Sequence, residues 1–200
     1  MQLRHELTRK SIHVALAVLP LAAWLALPAN PILVRVGLLL FALLAIGIDF
    51  ARRRPGRLNA WIRRLVGPLL RDTEDAHLLG ATTFAISTAV AFAVFPPTLA
   101  LVAIGFLVVG DAAAALGGRA LGRTRLRPGK TLEGSLACLL GCLAVAAAAR
   151  GFDLPEARVP ILVLGAVVAT IAELVASGDT DNLAMPLISG VFMVLAARSC

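Results

Sequence analysis

Seven runs of apolar residues alternate with short polar stretches along the chain. Each run has about 15 to 19 residues, close to the roughly 20 that an α-helix needs to cross a ~30 Å hydrocarbon core. The runs cover residues 12–29, 33–50, 78–95, 98–116, 132–149, 160–176 and 183–197. The pattern predicts an all-α, polytopic membrane helix bundle of about seven transmembrane helices, in a single integral membrane domain spanning residues 1–200.

The longest polar stretch has a helical pattern of its own. Between residues 57 and 70, apolar positions recur at helical spacing, with Arg57, Arg63 and Arg64 between them. Such a helix lies in the membrane interface, with its cations toward lipid headgroups. We therefore predict one interfacial amphipathic helix, with residues 51–71 in contact with anionic membrane lipids.

Composition excludes a water-soluble protein and the charge distribution sets an orientation. The chain is 59% hydrophobic, with a net charge of +7. A basic chain can bind nucleic acid, but with a cytoplasmic N-terminus 15 of the 19 Lys and Arg residues fall on the cytoplasmic side, as the positive-inside rule requires. We predict an integral protein of the cell membrane with its N-terminus in the cytoplasm and no nucleic-acid partner. The sequence does not decide between a monomer and a homodimer.

The stretch Gly110–Ser135 carries the densest candidate chemistry. It opens with Asp111 at the end of the fourth apolar run and closes with Glu133 at the start of the fifth. Between them lie four glycines and five cations: Gly117, Gly118, Gly122, Gly129, Arg119, Arg123, Arg125, Arg127 and Lys130. Glycines let backbone N–H groups approach an anion, and carboxylates hold a divalent metal. The stretch indicates a site for a metal-bound polyphosphate, although composition alone also fits a basic loop that only sets topology.

Three further polar segments share the predicted cytoplasmic face. In residues 4–13, Glu6, Arg9, Lys10 and His13 occupy one face of a helix. Asp179, Asp181 and Asn182 concentrate hard oxygen ligands in the loop before the last span, shortly after Glu173. The third segment is 72–83, and 10 of the 12 acidic residues lie on this side. Acids and cations segregated at one interface suggest a site.

These segments, in this order, resemble the CTP-dependent polyprenol kinase family, which contains dolichol kinase, phytol kinase and CTP-dependent diacylglycerol kinase. The residues that carry the resemblance are Glu6, Arg9, Lys10 and His13; Gly80, Ala81 and Thr82; Gly110-Asp111, Gly118-Arg119, Gly122 and Lys130–Ser135; and Glu173, Asp181, Asn182 and Pro186. The family's Gly-Arg-x-x-Gly element is expected to form a turn. Thr180 stands where the family has the first Asp of a pair, and Asp179 lies one place earlier.

The resemblance implies transfer of the γ-phosphoryl of CTP to the hydroxyl of a membrane isoprenoid alcohol or diacylglycerol, assisted by Mg²⁺, at the cytoplasmic face. The nucleotide-binding residues it implies are Gly118, Arg119, Gly122, Arg123, Lys130 and Thr131. The metal ligands are Asp111, Glu133 and Asp181, and the catalytic set is Asp111, Lys130, Glu133 and His13. Further site residues are Glu6, Arg9, Lys10, Glu173, Asp179 and Asn182.

Two other functions stay open. A phosphatidate cytidylyltransferase also joins CTP to a membrane lipid, but there the lipid phosphate attacks the α-phosphorus and pyrophosphate leaves. The same residue types serve both reactions. A small membrane transporter is the second alternative, although transporters often carry repeated halves with charges near the midplane, and no internal repeat is visible here.

Overall fold

The architecture is that of an all-α helical bundle. A computed structural model describes residues 30–53, 78–152, 156–176 and 180–199, together with Val18, Pro20 and Ala22. The chain divides into two compact units, Met1–Ala89 and Val90–Cys200. The single domain expected over residues 1–200 stays a prediction.

The first unit is organised around two apolar helices, α1 (Pro31–Arg53) and the beginning of α2 (Gly80–Val94). The last turn of α1 carries Arg52 and Arg53, which complement the negative end of the helix dipole. The start of α2 is tied to α1, because the Thr82 hydroxyl lies 3.5 Å from the carbonyl oxygen of Ala45. Thr82 is 1% exposed, so this polar contact lies inside the unit.

The second unit begins with one long helical run. Helix α3 (Pro97–Gly105) passes through a π-helical turn (Phe106–Gly110) directly into α4 (Asp111–Leu121). Two short strands follow, β1 (Arg125–Arg127) and β2 (Lys130–Thr131), which pair antiparallel. The remaining elements are α5 (Leu132–Gly151), α6 (Val159–Val175) and α7 (Asp181–Ser199).

Neighbouring helices of the second unit pack closely. Helix α5 packs against α4 and α6, and α7 packs against α6 and α3. Gly165 makes the α6–α7 contact close, since a Cβ there would lie 2.5 Å from the sulfur of Met193. Phe106, Met185 and Met193 are fully buried among these helices. Small residues at helix contacts are typical of membrane bundles.

Six of the seven predicted spans coincide with helices, but not all are long enough to cross a membrane. Within the described ranges, four helices have the required length and apolar character: Pro31–Arg53, Pro97–Leu121, Leu132–Gly151 and Asp181–Ser199. Helices α2 and α6 are shorter, at 15 and 17 residues. At 1.5 Å per residue they reach about 22 to 26 Å, below the ~30 Å core.

Two predicted elements are not tested by this structure. Most of the first predicted span, 12–29, and all of the predicted interfacial helix at 57–70 lie outside the described residues.

A proline pair limits the length of one described helix. Pro96-Pro97 separates α2 from α3, because proline cannot continue a helix that begins before it. The described residues therefore hold four long spans where the sequence predicts about seven in the whole chain.

Candidate functional site

Four helix termini of the second unit meet the β-hairpin at one end. Helix α4 ends at Leu121 and α5 begins at Leu132, so the hairpin joins their adjacent termini. Helix α6 then ends and α7 begins on the same side, because α5, α6 and α7 run up and down. We call this region the hairpin end; its described residues are 119–134, 173–176 and 180–182. It brings together segments that are about 50 positions apart in the sequence.

The hairpin itself is fixed by its turn. Pro128 and Gly129 connect the strands, and Gly129 has a φ of +77°, which a type II turn requires at its third position and which glycine adopts without strain. Arg127 pairs with Lys130 and Arg125 with Thr131. The sequence analysis missed this hairpin, although Pro-Gly is a recognisable turn signal.

Lys130 leaves the hairpin and enters the helical unit. Its ammonium forms a short hydrogen-bonded ion pair with Oε1 of Glu173, near the end of α6. The Lys130 side chain is 19% exposed and that of Glu173 only 4%. A carboxylate this deeply buried is costly unless it is paired, so Lys130 and Glu173 stabilise each other in the interior.

Arg127 binds the hairpin to the same helix. Its Nη1 donates hydrogen bonds to the carbonyl oxygens of Leu174 at 3.2 Å and Val175 at 2.6 Å. The last carbonyls of a helix lack partners within it and carry its negative dipole end. A cation there both satisfies them and complements the charge. Two cations of the hairpin thus contact three consecutive residues of α6.

The other side of the hairpin is held by the beginning of α5. Thr131 caps this helix, because its hydroxyl oxygen accepts a hydrogen bond of 3.1 Å from the Gly134 N–H. The Glu133 carboxylate accepts the Thr124 N–H at 3.1 and 3.2 Å from its two oxygens. These contacts fix the path of the chain between α4 and α5.

The expected turn at Gly118–Gly122 is wrong, since α4 continues to Leu121. Gly117 and Gly118 lie inside the helix and let it approach α5. A Cβ on Gly117 would lie 2.5 Å from the Ala137 Cβ, and one on Gly118 would lie 3.1 Å from Thr131 Oγ1. Tertiary packing here outweighs the low helix propensity of glycine. Arg119, in the last turn of α4, and Arg123, just after it, are both exposed. Nucleotide contacts by the glycines, Arg119, Arg123 and Thr131 stay predictions.

Asp111 is buried in the helical run and does not mark its end. It is 7% exposed, directly follows the π-helical turn, and lies ten residues before Leu121, or about 15 Å along the axis. The adjacent Gly110 is enclosed by α5 and α7. A Cβ on it would lie 2.6 Å from Cys142 Sγ and 3.4 Å from Met185 Cε. π-Helical turns occur frequently at functional sites.

The three predicted metal ligands lie at different depths in the bundle. A Cβ on Gly117 would lie 3.4 Å from the carbonyl oxygen of Glu133. Gly117 follows Asp111 by six residues, so Glu133 lies about 9 Å from Asp111 along the axis of α4. Asp181 begins α7 one turn before Met185, which reaches Gly110. Both Glu133 and Asp181 therefore lie displaced from Asp111 toward the hairpin end.

No group of three or more His, Cys, Asp or Glu side chains in the described part of the chain comes together to hold a metal. Mg²⁺ bound with a nucleotide uses only one or two carboxylates beside phosphate oxygens. The metal roles of Asp111, Asp181 and Glu133 all stay predictions. Both oxygens of Glu133 accept a backbone hydrogen bond here.

The sequence model described as the cytidylyltransferase family matches residues 2–180. The chain belongs to the cytidylyltransferase family. This family includes CTP-dependent polyprenol and diacylglycerol kinases, which confirms the resemblance at the family level. No curated protein and no solved structure matches the chain.

Membership in the cytidylyltransferase family supports a CTP-using lipid enzyme, and the four long apolar helices are compatible with an integral membrane protein. The match runs through both compact units. It also includes residues for which the structure gives no description. Five predicted site residues fall there and stay predictions: Glu6, Arg9, Lys10, His13 and Asp179.

The first unit of this cytidylyltransferase-family chain contains a polar cluster that the sequence analysis missed. Asp49 and Arg52, both 1% exposed, form an ion pair with 2.5 Å between Oδ1 and Nε. The other Asp49 oxygen accepts the Leu79 N–H at 3.3 Å, just before α2 begins. The available signal was an acid three residues before an arginine at the end of an apolar run. The cluster joins the end of α1 to the start of α2.

Proposed function

We propose that this protein is a CTP-dependent lipid-alcohol kinase that transfers the γ-phosphoryl of CTP to a membrane isoprenoid alcohol or diacylglycerol. The observation that carries the proposal is the ion pair between the partly buried Lys130 and the buried Glu173. A lysine that only sets membrane topology needs no buried carboxylate partner, and extends into water. An inward-facing ammonium beside a carboxylate supplies both a phosphate-binding cation and a group able to interact with a hydroxyl.

Neutralising charge is the main requirement for phosphoryl transfer. In the proposal, Lys130 binds the triphosphate from the interior, and Arg119 and Arg123 bind it from the exposed side of the hairpin end. Asp111 and Asp181 would hold Mg²⁺, which when bound neutralises phosphate oxygens. Asp111 directly follows Gly110, whose Cβ position lies 3.4 Å from Met185 Cε, and Met185 lies one turn after Asp181 in α7; these contacts support the assignment.

The lipid side of the proposal follows from the apolar helices. A lipid alcohol has its chain in the hydrocarbon region and its hydroxyl at the interface, so the hydroxyl can reach the hairpin end while the chain stays among the helices. The distribution of cations favours the cytoplasmic face, because Arg119, Arg123 and Lys130 lie at this end. CTP in the cytoplasm then has access to the same end.

A second candidate function is phosphatidate cytidylyltransferase, which the description of the matching family favours. In that reaction the attacking lipid phosphate is already an anion, so no proton has to be removed from it. The cations and metal ligands would serve equally well. The two reactions differ in the phosphorus atom attacked and in the part of CTP that enters the lipid.

Labelled CTP tests the proposal. The full chain in detergent is incubated with Mg²⁺ and CTP carrying label on either the γ- or the α-phosphorus, together with isoprenoid alcohol, diacylglycerol and phosphatidate. We expect γ-label in the lipid and none from the α position; lipid labelled from the α position refutes the kinase. Lys130→Gln should abolish labelling, whereas Arg158→Gln, at an exposed position outside the hairpin end, should not.

A further inference from the structure

Glu173 is an unusual residue for its helix. It is the one charged residue of α6, whose other residues are apolar except Thr170, and it is 3% exposed. A carboxylate in such a position is a functional candidate, because an apolar residue would stabilise the helix contact more simply. Its partner Lys130 comes from the hairpin, a different element.

The ion pair sets how far Glu173 is from a bound phosphate. An ammonium has three donors, so Lys130 can contact a phosphate oxygen without leaving Glu173. Two charge-assisted hydrogen bonds of about 2.8 Å to one nitrogen place their acceptor oxygens about 4 to 5 Å apart. A hydroxyl that approaches phosphorus to about 3 to 3.5 Å is then also within hydrogen-bonding reach of the carboxylate.

Other carboxylates at the hairpin end are engaged differently. Glu133 accepts the Thr124 N–H with both oxygens and is half-buried. Asp181 accepts the Asn182 N–H at 2.9 Å. Both begin helices, whereas Glu173 ends one and lies inside the unit. Of these three acids in the described part of the hairpin end, Glu173 is the one that a membrane-embedded hydroxyl meets from the interior.

Packing brings the Gly110-Asp111 corner beside the helix that carries Glu173. The π-helical turn, which ends at Gly110, packs against both α5 and α6. On α5, the sulfur of Cys138 would lie 3.3 Å from a Cβ on Gly110. The corner that leads to Asp111 and the helix that carries Glu173 are therefore in direct contact.

We infer that Glu173 is a catalytic residue that accepts the proton of the lipid hydroxyl, and that Lys130 holds its carboxylate beside the γ-phosphoryl. This inference rests on the proposed kinase function. In the step, a bond forms between the hydroxyl oxygen and the γ-phosphorus, and the bond from that phosphorus to the β,γ-bridging oxygen breaks. The bridging electron pair leaves with CDP, and the hydroxyl proton passes to a Glu173 oxygen and then to solvent.

Glu173→Gln tests the step, because glutamine keeps the shape and accepts a hydrogen bond from Lys130 but does not take up the proton. With the full chain in detergent, we expect the Kd of Mg·CTP to stay within about threefold and kcat for lipid phosphorylation to fall about 10²- to 10⁴-fold. Glu156→Gln, at an exposed position, is the matched control and should keep normal turnover. Each variant is checked for a monodisperse, helical state.

A more acidic alcohol separates proton transfer from positioning. The probe is geranylgeraniol or dioctanoylglycerol, whichever the wild-type protein phosphorylates, and its analogue with fluorine near the hydroxyl. A more acidic hydroxyl depends less on a base to remove its proton. The fall in kcat caused by Glu173→Gln should therefore be at least about tenfold smaller with the fluorinated probe. An equal loss with both probes, or a loss explained by weaker CTP binding, overturns the inference.

Glu173→Asp decides the matter if the glutamine variant does not fold. Aspartate keeps the carboxylate but holds it one methylene farther from the hydroxyl. The turnover that this variant loses should again be partly recovered with the fluorinated alcohol, and an equal loss of turnover with both alcohols overturns the inference. If wild-type protein transfers γ-label and a folded Glu173→Gln variant keeps its kcat, only this inference fails. If the wild type transfers only α-label, the proposed function fails and this inference with it.

Discussion

Gly110→Ala should destabilise the second unit and disturb the neighbouring Asp111. The new methyl would lie 2.6 Å from Cys142 Sγ, so one of the two atoms must move by about 0.8 Å to reach the 3.4 Å of an ordinary contact. It cannot turn away freely, because Cys138 and Met185 lie at 3.3 and 3.4 Å. Overpacking a core costs about 1 to 3 kcal/mol, and alanine returns about 0.5 to 1 through its better helix propensity. We expect a net loss of about 1 to 2 kcal/mol by this reckoning.

Thermal unfolding in detergent measures the effect. For a chain of this size, that loss corresponds to a Tm lower by about 2 to 8 °C. Under the proposed function, lipid phosphorylation should fall more steeply, by roughly 10- to 100-fold, because small displacements of a catalytic group such as the proposed metal ligand Asp111 are costly. Gly151→Ala is the matched control: among the described residues nothing lies within 4 Å of its Cβ position, so it should leave Tm and activity unchanged or slightly raised.

A second substitution tests the proposed cause. Cys142→Ala removes the sulfur that the new methyl would meet, so Gly110→Ala should cost about 1 kcal/mol less in that background, as neighbours that share a contact are coupled. Equal stability of Gly110→Ala and Gly151→Ala, or additive effects of Cys142→Ala and Gly110→Ala, would contradict a steric contact with Cys142 as the cause of the loss.

Three further predictions concern other parts of the chain. Asp111→Asn should leave the protein folded but lower lipid phosphorylation at least about 100-fold at every Mg²⁺ concentration, because Mg²⁺ needs anionic oxygen; near-normal turnover, equal to that of Glu156→Gln, would contradict its metal role. Arg127→Ala removes the hydrogen bonds to α6 and should raise the KM for CTP about 2- to 10-fold. Arg125→Ala is the control, and equal KM values for the two variants would mean that the contact between the hairpin and α6 does not affect CTP binding. A reporter inserted at 152–158 should be inaccessible from the cytoplasm, and a cytoplasmic signal there would overturn the predicted topology.

Hydropathy located the helices well because each is long and apolar enough to show by itself. Their exact lengths depend on local stops: Pro96-Pro97 shortens α2, and the Pro128-Gly129 turn makes room for a hairpin whose strands have only three and two residues. Such short strands carry no readable periodicity. The all-α class was therefore predictable, whereas the hairpin was visible only as a turn signal.

The roles of the candidate site residues stay predictions, and the contacts among these residues could not be predicted from the sequence. Glycine at 117 and 118 suggests a loop, and only the close packing on Ala137 and Thr131 explains why α4 continues. The pairing of Lys130 with Glu173 joins positions 43 residues apart, and no local pattern reports it. Asp49 was passed over for the same reason, because its burial depends on Leu79 in the next helix.

The π-helical turn at Phe106–Gly110 gives the long helical run two orientations. One residue more than the α-helical repeat accommodates rotates everything after it by about 100°. Helix α3 accordingly faces α7, whereas α4 faces α5. Asp111 is the first residue after this rotation. The direction in which its side chain leaves the helix is therefore set by the number of residues in the turn before it. A length change of one residue in this turn would re-aim the carboxylate while leaving the hydropathy of the span almost unaltered.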